Sequence, residues 1–277
     1  MKFMLKDVRQ FAAFLAVGEK SSATIEKYCR EARRFAVWLD GREVDRSLAL
    51  AYKAGLAEVR APAGVNGAIA ALNCLFDFLR IPECRMKAVR VQRPAFWDEK
   101  RELTEKEYRR LLAAARARKN ERLLLVMESI CAAGIRVSEL RFFTVEAARL
   151  GRAEVTNKGK TRTVFLPGKL QKELLKYARR QGLSAGPVFV TRSGKPLDRS
   201  NIWHEMKALC KEAGVAAGKV FPHNLRHLFA RTFYGLEKDI IRLADILGHS
   251  NVNTTRIYTM ESGETHRRQL EKMRLVI

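Results

Sequence analysis

Apolar side chains recur at helical spacing over most of the 277-residue chain, and this periodicity constrains the fold more strongly than any other feature. Residues 152–166 depart from it. There, alternating residues flank Asn157-Lys-Gly-Lys160, a pattern typical of strand, turn and strand. The run Val188-Phe-Val190 predicts one more short strand. The sequence therefore predicts a mainly α-helical chain with a small antiparallel β-sheet.

The same pattern divides the chain. Residues 1–82 carry three apolar stripes and predict a small all-helical domain. Over residues 83–101 the periodicity disappears while arginines and lysines accumulate, so this segment is predicted to be a basic linker. Residues 102–277 combine further helical stripes with the predicted hairpin, which indicates a second, α+β domain.

Individual helices are also predicted. Thr104 and Glu107 have the spacing of a capping box, in which each side chain satisfies a backbone donor at the start of a helix. Other helices are expected at about 46–59, 121–133 and 137–147.

The charge balance indicates a polyanionic partner. The chain has 53 Lys+Arg against 30 Asp+Glu, a net charge of +23. Residues 1–92 contain 16 Lys+Arg and 10 Asp+Glu, and residues 93–277 contain 37 and 20, so both parts are basic. A basic surface that releases counterions favours nucleic acid. On charge alone, a merely soluble basic protein is an equal alternative.

The five cysteines are scattered, odd in number and without a C-x-x-C pair. Buried free thiols are therefore favoured over disulfides or a zinc site. The longest early apolar run, Phe11 to Val17, is too short to span a bilayer and is poorly flanked for a signal peptide. These features predict a cytoplasmic protein.

Three of the five histidines lie between positions 223 and 249. His223, Arg226 and His227 share one face of a helix predicted to follow Pro222. The His-x-x-x-His spacing is half of a zinc-protease motif, but Asn224 stands where that motif needs a glutamate base. A metal site is therefore the minor interpretation, and a guanidinium beside imidazoles favours phosphate instead.

Two further elements complete a possible phosphate site. Gly134 is predicted to end a helix and to leave Arg136 near the start of the next, with Glu139 as its possible partner. Tyr258 alone is more often a core residue than a nucleophile, because its free pKa is near 10 and attack needs positive groups nearby. Lysines on the hairpin turn are candidates for protonating a leaving oxygen.

Taken together, these segments resemble the tyrosine recombinase (phage integrase) superfamily, of the simple Xer-like or mobile-element type. The matching segments follow the family's order and spacing. They are Gly134-Ile-Arg-Val-Ser-Glu-Leu, the hairpin with Lys158, His223-Asn-Leu-Arg226-His227, Leu247-Gly-His249 and Tyr258. Upstream, Thr24-Ile-Glu-Lys-Tyr28 with Phe35 and Trp38-Leu39 is similar to the family's helical, SAM-like core-binding domain.

The resemblance implies a role for each matched residue. Tyr258 is implied to be the nucleophile, surrounded by five catalytic residues; these are Arg136, Lys158, His223, Arg226 and His249. His227 is implied to support the helix and Glu139 to be a structural partner near Arg136. The family's hairpin lysine usually precedes a glycine, which selects Lys158 over Lys160.

The implied reaction is site-specific recombination of double-stranded DNA at an inverted-repeat-like site. It proceeds through a 3′-phosphotyrosine and a Holliday junction, without metal, cofactor or ATP, in a tetramer on two sites. The tail, residues 259–277, is implied to dock into a neighbouring protomer, with packing on its own domain as the alternative. Two other functions stay open: a type IB topoisomerase-like activity and a non-catalytic DNA-binding relative.

Overall fold

The computed structural model describes residues 2–91, 100–157, 159–191, 193–260 and 263–273. The chain divides into two compact units, Met1–Arg93 and Pro94–Ile277. Within the described ranges, no helix combines the length and the apolar character needed to cross a membrane.

The first unit is helical, as its apolar stripes predict. Its elements are α1 (Val8–Val17), α2 (Ser22–Leu39), α3 (Arg46–Val59) and α4 (Pro62–Phe78), with 3-10 helices at Leu5–Asp7 and Pro82–Cys84. The helix predicted at 46–59 is confirmed by α3. The stripes meet in one core around Phe35 and Phe76, both fully buried. Burial of such a side chain stabilises the fold by roughly 1.5–3 kcal/mol.

The beginning of the basic segment after this bundle is held on its surface. Asn73 donates a hydrogen bond to the carbonyl of Met86 and accepts one from its amide, at 2.9 and 2.8 Å. Asn66 pairs with the backbone of Val89 in the same way, and Cys84 is buried. The bundle therefore extends along the chain to Val89. Residues 92–99, the middle of the predicted linker, lie outside the described residues.

The second unit combines helices with one hairpin. Its elements are α5 (Glu105–Ala117), α6 (Glu121–Ala133), a 3-10 helix (Val137–Phe142), α7 (Val145–Leu150), β1 (Arg152–Asn157), β2 (Lys160–Phe165), α8 (Gly168–Arg180), α9 (Arg199–Ala208), α10 (Cys210–Ala213), a 3-10 helix (Ala217–Lys219), α11 (Pro222–Glu237), α12 (Ile240–Leu247), α13 (Val252–Thr255), a 3-10 helix (Arg256–Tyr258) and α14 (Gly263–Met273). The fold class is thus confirmed: mainly α with a small antiparallel sheet.

The predicted hairpin is confirmed. Strands β1 and β2 pair antiparallel, with Arg152 opposite Phe165 and Asn157 opposite Lys160. Gly159 in the turn has a φ of +76°, a conformation that glycine adopts without steric cost. Val155 and Val164 point into the core, so the alternation positions one face of the hairpin against the helices.

Two local predictions are wrong. The single helix expected at 137–147 is a 3-10 helix followed by α7. The break follows from Thr144, whose side chain accepts a hydrogen bond from the amide of Ala147 and so starts α7 afresh. The strand expected at Val188–Val190 is reduced to isolated bridges at Pro187 and Pro196. Proline has no amide hydrogen, so neither bridge extends into a ladder.

The capping box at the start of α5 is confirmed: the amide of Thr104 donates to Glu107, and the amide of Glu107 donates to Thr104. This helix and α6 belong to the large apolar core of the unit. A second, smaller cluster contains Ala230 of α11, Leu243 and Leu247 of α12, and Tyr258. It packs the C-terminal helices together and so positions the residues described next.

Candidate active site

Four described segments bring together the predicted site residues other than Lys158. Arg136 precedes the 3-10 helix Val137–Phe142, and His249 follows the end of α12. Helix α11 carries His223, Arg226 and His227, and Tyr258 ends the last 3-10 helix. Lys158, the sixth residue predicted to be catalytic, lies outside the described residues.

Arg226 is the buried centre of the site. Only 1% of it is exposed, and its guanidinium donates to the carbonyls of Gly134 and Leu247, both at 2.7 Å. The same terminal nitrogen that reaches Leu247 lies 3.0 Å from Nε2 of His249. Burial, together with the charge of Arg136, lowers the pKa of Arg226 to about 10, so the group stays cationic at neutral pH.

The hydrogen bonds of His249 define its tautomer. A guanidinium can only donate, so Nε2 accepts from Arg226 and carries no proton. Nδ1 then carries the proton and donates to Oγ1 of Thr255 at 2.9 Å. Burial, followed by the charges of Arg226 and Arg136, lowers the pKa of His249 to about 4. The imidazole is therefore neutral at physiological pH, with both of its nitrogens engaged.

Tyr258 packs between two histidines. Its ring centroid lies 5.0 Å from that of His227, edge to face, and 6.2 Å from that of His249. Only 4% of the residue is exposed. Burial raises the pKa of Tyr258, and this is opposed by the charge of Arg226, a hydrogen bond from it, and the charge of Arg136. The cations offset only part of the effect of burial, so the pKa of Tyr258 stays above its ordinary value and a nucleophilic attack requires a group that takes the phenol proton.

Glu139 organises the arginines around it. It is 1% exposed and accepts hydrogen bonds from Arg136, through the amide at 2.8 Å and the guanidinium at 2.9 Å. The predicted pairing of Glu139 with Arg136 is therefore present. Burial alone would raise the pKa of Glu139, but hydrogen bonds from Arg162 and Arg136 outweigh it and hold the pKa at about 2.

Arg162 is a site residue that sequence reasoning missed. It donates to both carboxylate oxygens of Glu139, at 3.0 and 2.8 Å, and its Nε donates to the carbonyl of Ile246 at 3.0 Å. It thus ties β2 to the end of α12, next to His249. The available signal was its register: Arg162 shares a strand face with buried Val164, where a charged side chain needs a partner.

His223 is the more open imidazole. The residue is exposed, although its ring packs edge to face on that of His227 at a centroid distance of 4.4 Å. Partial desolvation and the positive charges of His227, Arg226 and Arg136 lower its pKa to about 4. His223 lines a cleft of about 500 Å³ with Arg136 and Arg226. Arg199 lines it as well, so an anion entering this cleft meets three guanidinium groups and one imidazole.

A second cleft, of about 550 Å³, lies on the other side of Arg136. The hairpin contributes Lys160 and Arg162 to its lining, and the end of α12 contributes Gly248 and His249. Lys160 itself is exposed. Lys160 of the hairpin therefore lines the same cleft as Arg136, which also lines the first cleft.

Asn224, which stands where the zinc-protease motif has its glutamate base, has a structural role. The side chain is 1% exposed, and its amide nitrogen donates to the carbonyls of Arg101 and Lys219, both at 2.8 Å. It fastens the start of α11 to the segment that precedes α5. This position is thus a packing position, which agrees with the minor weight given to a metal site.

Glu102 and His227 form a hydrogen-bonded pair that the sequence did not predict. Nδ1 of His227 lies 3.1 Å from one carboxylate oxygen of Glu102, and Arg231 lies 3.1 Å from the other. The partners are 125 positions apart, so no local spacing could reveal them.

The arrangement is suited to phosphoryl chemistry. Arg136, Arg226 and the exposed His223 line the first cleft, and Arg136 and the half-buried His249 line the second. Among the described residues that line these two clefts, Asp245 in the second is the one carboxylate. Guanidinium forks bind the non-bridging oxygens of a phosphate, and a phenolate is a competent attacking group.

Comparison with known proteins identifies the family. The profile of the phage integrase family matches residues 101–264. Tyrosine recombinase XerA of Thermococcus kodakarensis is 30% identical over 97% of this chain and 95% of its own length. Tyrosine recombinase XerC of Roseiflexus castenholzii is 31% identical over 92% and 89%.

Solved structures agree in fold. The crystal structure of XerA recombinase covers 98% of this chain and 99% of its own at 25% identity, with a TM-score of 0.54. XerH site-specific recombinase bound to difH substrate gives a TM-score of 0.72 at 18% identity, covering 95% of this chain and 84% of its own. A lambda integrase dimer bound to a COC′ core site gives 0.75 at 16%, covering 95% and 97%. The chain therefore belongs to the phage integrase family and is a tyrosine recombinase.

Proposed function

We propose that this recombinase cleaves and rejoins DNA strands with Tyr258 as nucleophile. The phenol oxygen attacks the scissile phosphate and forms a 3′-phosphotyrosine, and a 5′-hydroxyl leaves. The 5′-hydroxyl of a partner strand then reverses the step, by way of a Holliday junction. The covalent bond retains the energy of the phosphodiester, so neither ATP nor a metal has to be supplied.

One observation carries this proposal: Tyr258 lies against His249, which is hydrogen-bonded to the buried Arg226, next to Arg136. Arg136 and Arg226 are proposed to bind the non-bridging oxygens and to stabilise the pentacovalent phosphorane. His223, exposed beside them, is proposed to donate to the same phosphate. Because these groups are fixed by buried partners before DNA arrives, little reorganisation is needed when charge develops.

The leaving 5′-oxygen needs a proton donor, and a hairpin lysine is proposed for this role. The family resemblance selects Lys158. Lys160 is the alternative, since it lines the cleft that also contains Arg136. His227 and Glu139 are proposed to support the site, Glu139 by orienting Arg136.

The substrate is proposed to be double-stranded DNA at an inverted-repeat-like site, held by a tetramer assembled on two sites. XerH and lambda integrase, which share this fold, are described as bound to DNA, and one lambda integrase structure is a tetramer on a Holliday junction. We propose residues 1–82 as the core-binding domain, 83–101 as a linker whose residues 83–89 are held on the surface of that domain, and 102–277 as the catalytic domain. The free cysteines support a reducing, cytoplasmic setting.

The tail is proposed to dock into a neighbouring protomer. Leu270 and Met273, one helical turn apart on α14, are 53% and 55% exposed within the single chain. An apolar pair left uncovered in this way supports an exchange between protomers over packing on its own unit. Residues 274–277, the last of the tail, lie outside the described residues.

Covalent capture tests the nucleophile. The protein is incubated, in EDTA and without nucleotide, with nicked suicide duplexes whose arms are randomised, and DNA that stays attached in SDS is sequenced. We expect a protein–DNA adduct from the wild type and none above background from Tyr258→Phe. Tyr177→Phe is the matched control, because Tyr177 is a similarly buried phenol on α8. Its adduct yield should equal that of the wild type.

Two results would contradict the proposal. An adduct that persists in Tyr258→Phe assigns the nucleophile elsewhere, and an absence of any adduct from the wild type removes the covalent mechanism. Exchange of labelled strands between two captured duplexes separates recombination from the topoisomerase-like alternative, which rejoins each strand to its original partner.

A further inference from the structure

The hydrogen-bonded pair of Glu102 and His227 lies directly against the ring of the proposed nucleophile. Nδ1 of His227 is 3.1 and 3.3 Å from the two oxygens of Glu102, and the His227 ring meets the Tyr258 ring edge to face at 5.0 Å. Both members of the pair are largely enclosed, with side-chain exposures of 16% and 17%. The pair is thus screened from solvent and adjacent to the phenol.

The carboxylate of Glu102 determines which ring nitrogen of His227 carries a proton. Burial alone would raise the pKa of Glu102, but the hydrogen bond from His227 and the charges of His227 and Arg231 lower it. The carboxylate is therefore ionised and can only accept, so Nδ1 of His227 carries a proton and donates it. In the neutral imidazole this leaves a lone pair on Nε2. That nitrogen is buried and has no hydrogen-bond partner among the described residues.

An unused buried lone pair is costly in a folded protein, and a catalytic role is one explanation for such an unsatisfied group. The other histidine in contact with Tyr258 offers none, because His249 accepts from Arg226 through Nε2 and donates to Thr255 through Nδ1. His223 is exposed and lines the cleft proposed for the phosphate. Of the imidazoles packed on the Tyr258 ring, His227 alone has a nitrogen available as a base.

We propose that His227 accepts the phenol proton of Tyr258 at Nε2 during cleavage and that Glu102 stabilises the imidazolium that results. This inference rests on the proposed function, since it requires Tyr258 to be the nucleophile. As the bond from the phenol oxygen to phosphorus forms, the phenol O–H bond breaks and its proton moves to Nε2. The bond from phosphorus to the 5′-oxygen breaks, and that oxygen takes a proton from a separate acid, the hairpin lysine. Rejoining returns the Nε2 proton to the phenol.

The groups that face His227 favour this transfer. Glu102 approaches from the segment before α5, and Arg231 and His223 lie on α11 itself. Tyr258 approaches from the last 3-10 helix, with Arg226 and His249 behind its ring. Glu102 supplies the negative charge in this set, so its position decides whether a proton on His227 is tolerated. A carboxylate–imidazole–nucleophile series of this kind activates weak nucleophiles in other enzymes.

The decisive variant is His227→Asn. The asparagine amide can still donate to Glu102 but has no basic nitrogen. In single-turnover cleavage of the captured suicide duplex, we expect the rate of adduct formation to fall by about 10²–10³-fold at neutral pH. The rate should then rise with pH up to the ionisation of the phenol, whereas the wild-type rate should level off earlier. A duplex with a 5′-bridging sulfur, whose departure needs no acid, should not restore the rate.

Glu102→Gln provides a second, independent readout. It keeps a hydrogen-bond acceptor for Nδ1 but removes the charge, so the plateau rate should fall and the rising limb of the pH profile should move to lower pH. Glu107→Gln is the matched control: Glu107 is enclosed to a similar degree and is paired with Lys219, away from Tyr258. It should leave the pH profile unchanged.

The results distinguish this inference from the proposed function. If Tyr258→Phe abolishes the adduct while His227→Asn and Glu102→Gln keep the wild-type rate and pH profile, the proton-accepting role is wrong and the nucleophile assignment stands. If both variants lose rate uniformly at every pH and bind DNA more weakly, the pair has a structural role only. If the wild type forms no adduct, the proposed function itself fails.

Discussion

Glu139 is the buried acid that keeps two arginines in place. Its hydrogen bonds to Arg162 and Arg136 hold its pKa near 2, against an ordinary value of 4.5. A carboxyl with a depressed pKa contributes stability that is present above its unfolded pKa and is lost as pH falls through its folded pKa. The contribution at neutral pH is on the order of 3 kcal/mol.

We therefore expect Glu139→Gln to be clearly less stable than the wild type at pH 6, with a difference that shrinks as the pH falls from about 4.5 to about 2. The reason is that the wild type loses its advantage when Glu139 is protonated, whereas glutamine does not titrate. Urea unfolding followed by tryptophan fluorescence and circular dichroism across this pH range measures the difference. A gap that stays constant with pH would contradict the depressed pKa.

Some contacts of individual site residues could be predicted from the sequence and others could not. The grouping of Arg226, His249 and Tyr258 follows from an ordered series of short segments, so it could be anticipated. Arg162 could have been suspected only from its strand register. Glu102 could not, because its contact with His227 joins positions 125 apart and depends on how the segment before α5 crosses α11.

At the scale of elements, the end of α6 is the tightest junction near the site. Gly134 has a φ of +62°, and a Cβ atom there would lie 2.3 Å from the ring of Phe229. Its carbonyl also accepts from Arg226. Glycine at this position thus serves both the turn of the backbone and the close approach of α11.

We expect Gly134→Ala to be destabilising by more than the roughly 1–2 kcal/mol that a left-handed backbone costs a residue with a Cβ, because the ring of Phe229 must also move. Gly182→Ala is the matched control: Gly182 has a φ of +69° but nothing within 4 Å of the added atom. Chemical denaturation compares the two variants. Equal losses of stability would show that the contact with Phe229 is unimportant.

Elements with a strong periodic signal were predicted well, and so was the capping box at the start of α5, but the helix start at Thr144 was missed. Helices α3 and α6 and the hairpin follow from apolar spacing alone. The interruption between Val137–Phe142 and α7 depends on one threonine hydroxyl that competes for a backbone amide. A hydrogen bond of this kind leaves the apolar pattern almost unchanged, so the pattern does not reveal the break between the two helices.

At the scale of the whole molecule, the net charge of +23 governs binding. Each phosphate neutralised by the protein releases counterions, so affinity for duplex DNA should fall steeply with salt. If about 6–10 phosphates are contacted, we expect a loss of about 10³–10⁵-fold between 50 and 200 mM salt. Fluorescence anisotropy with a labelled duplex measures the slope. A change of less than tenfold would mean that the basic surface contributes little to DNA binding.

The two carbonyls held by Arg226 have a practical consequence. One ends α6 and the other ends α12, so this guanidinium joins two helices as well as lining the cleft that contains His223. Replacing it would loosen the scaffold while disabling the chemistry, and the two losses could not be told apart. A catalytically silent protein suited to trapping an intact DNA complex is better obtained by removing the hydroxyl of Tyr258, whose ring remains in its apolar cluster.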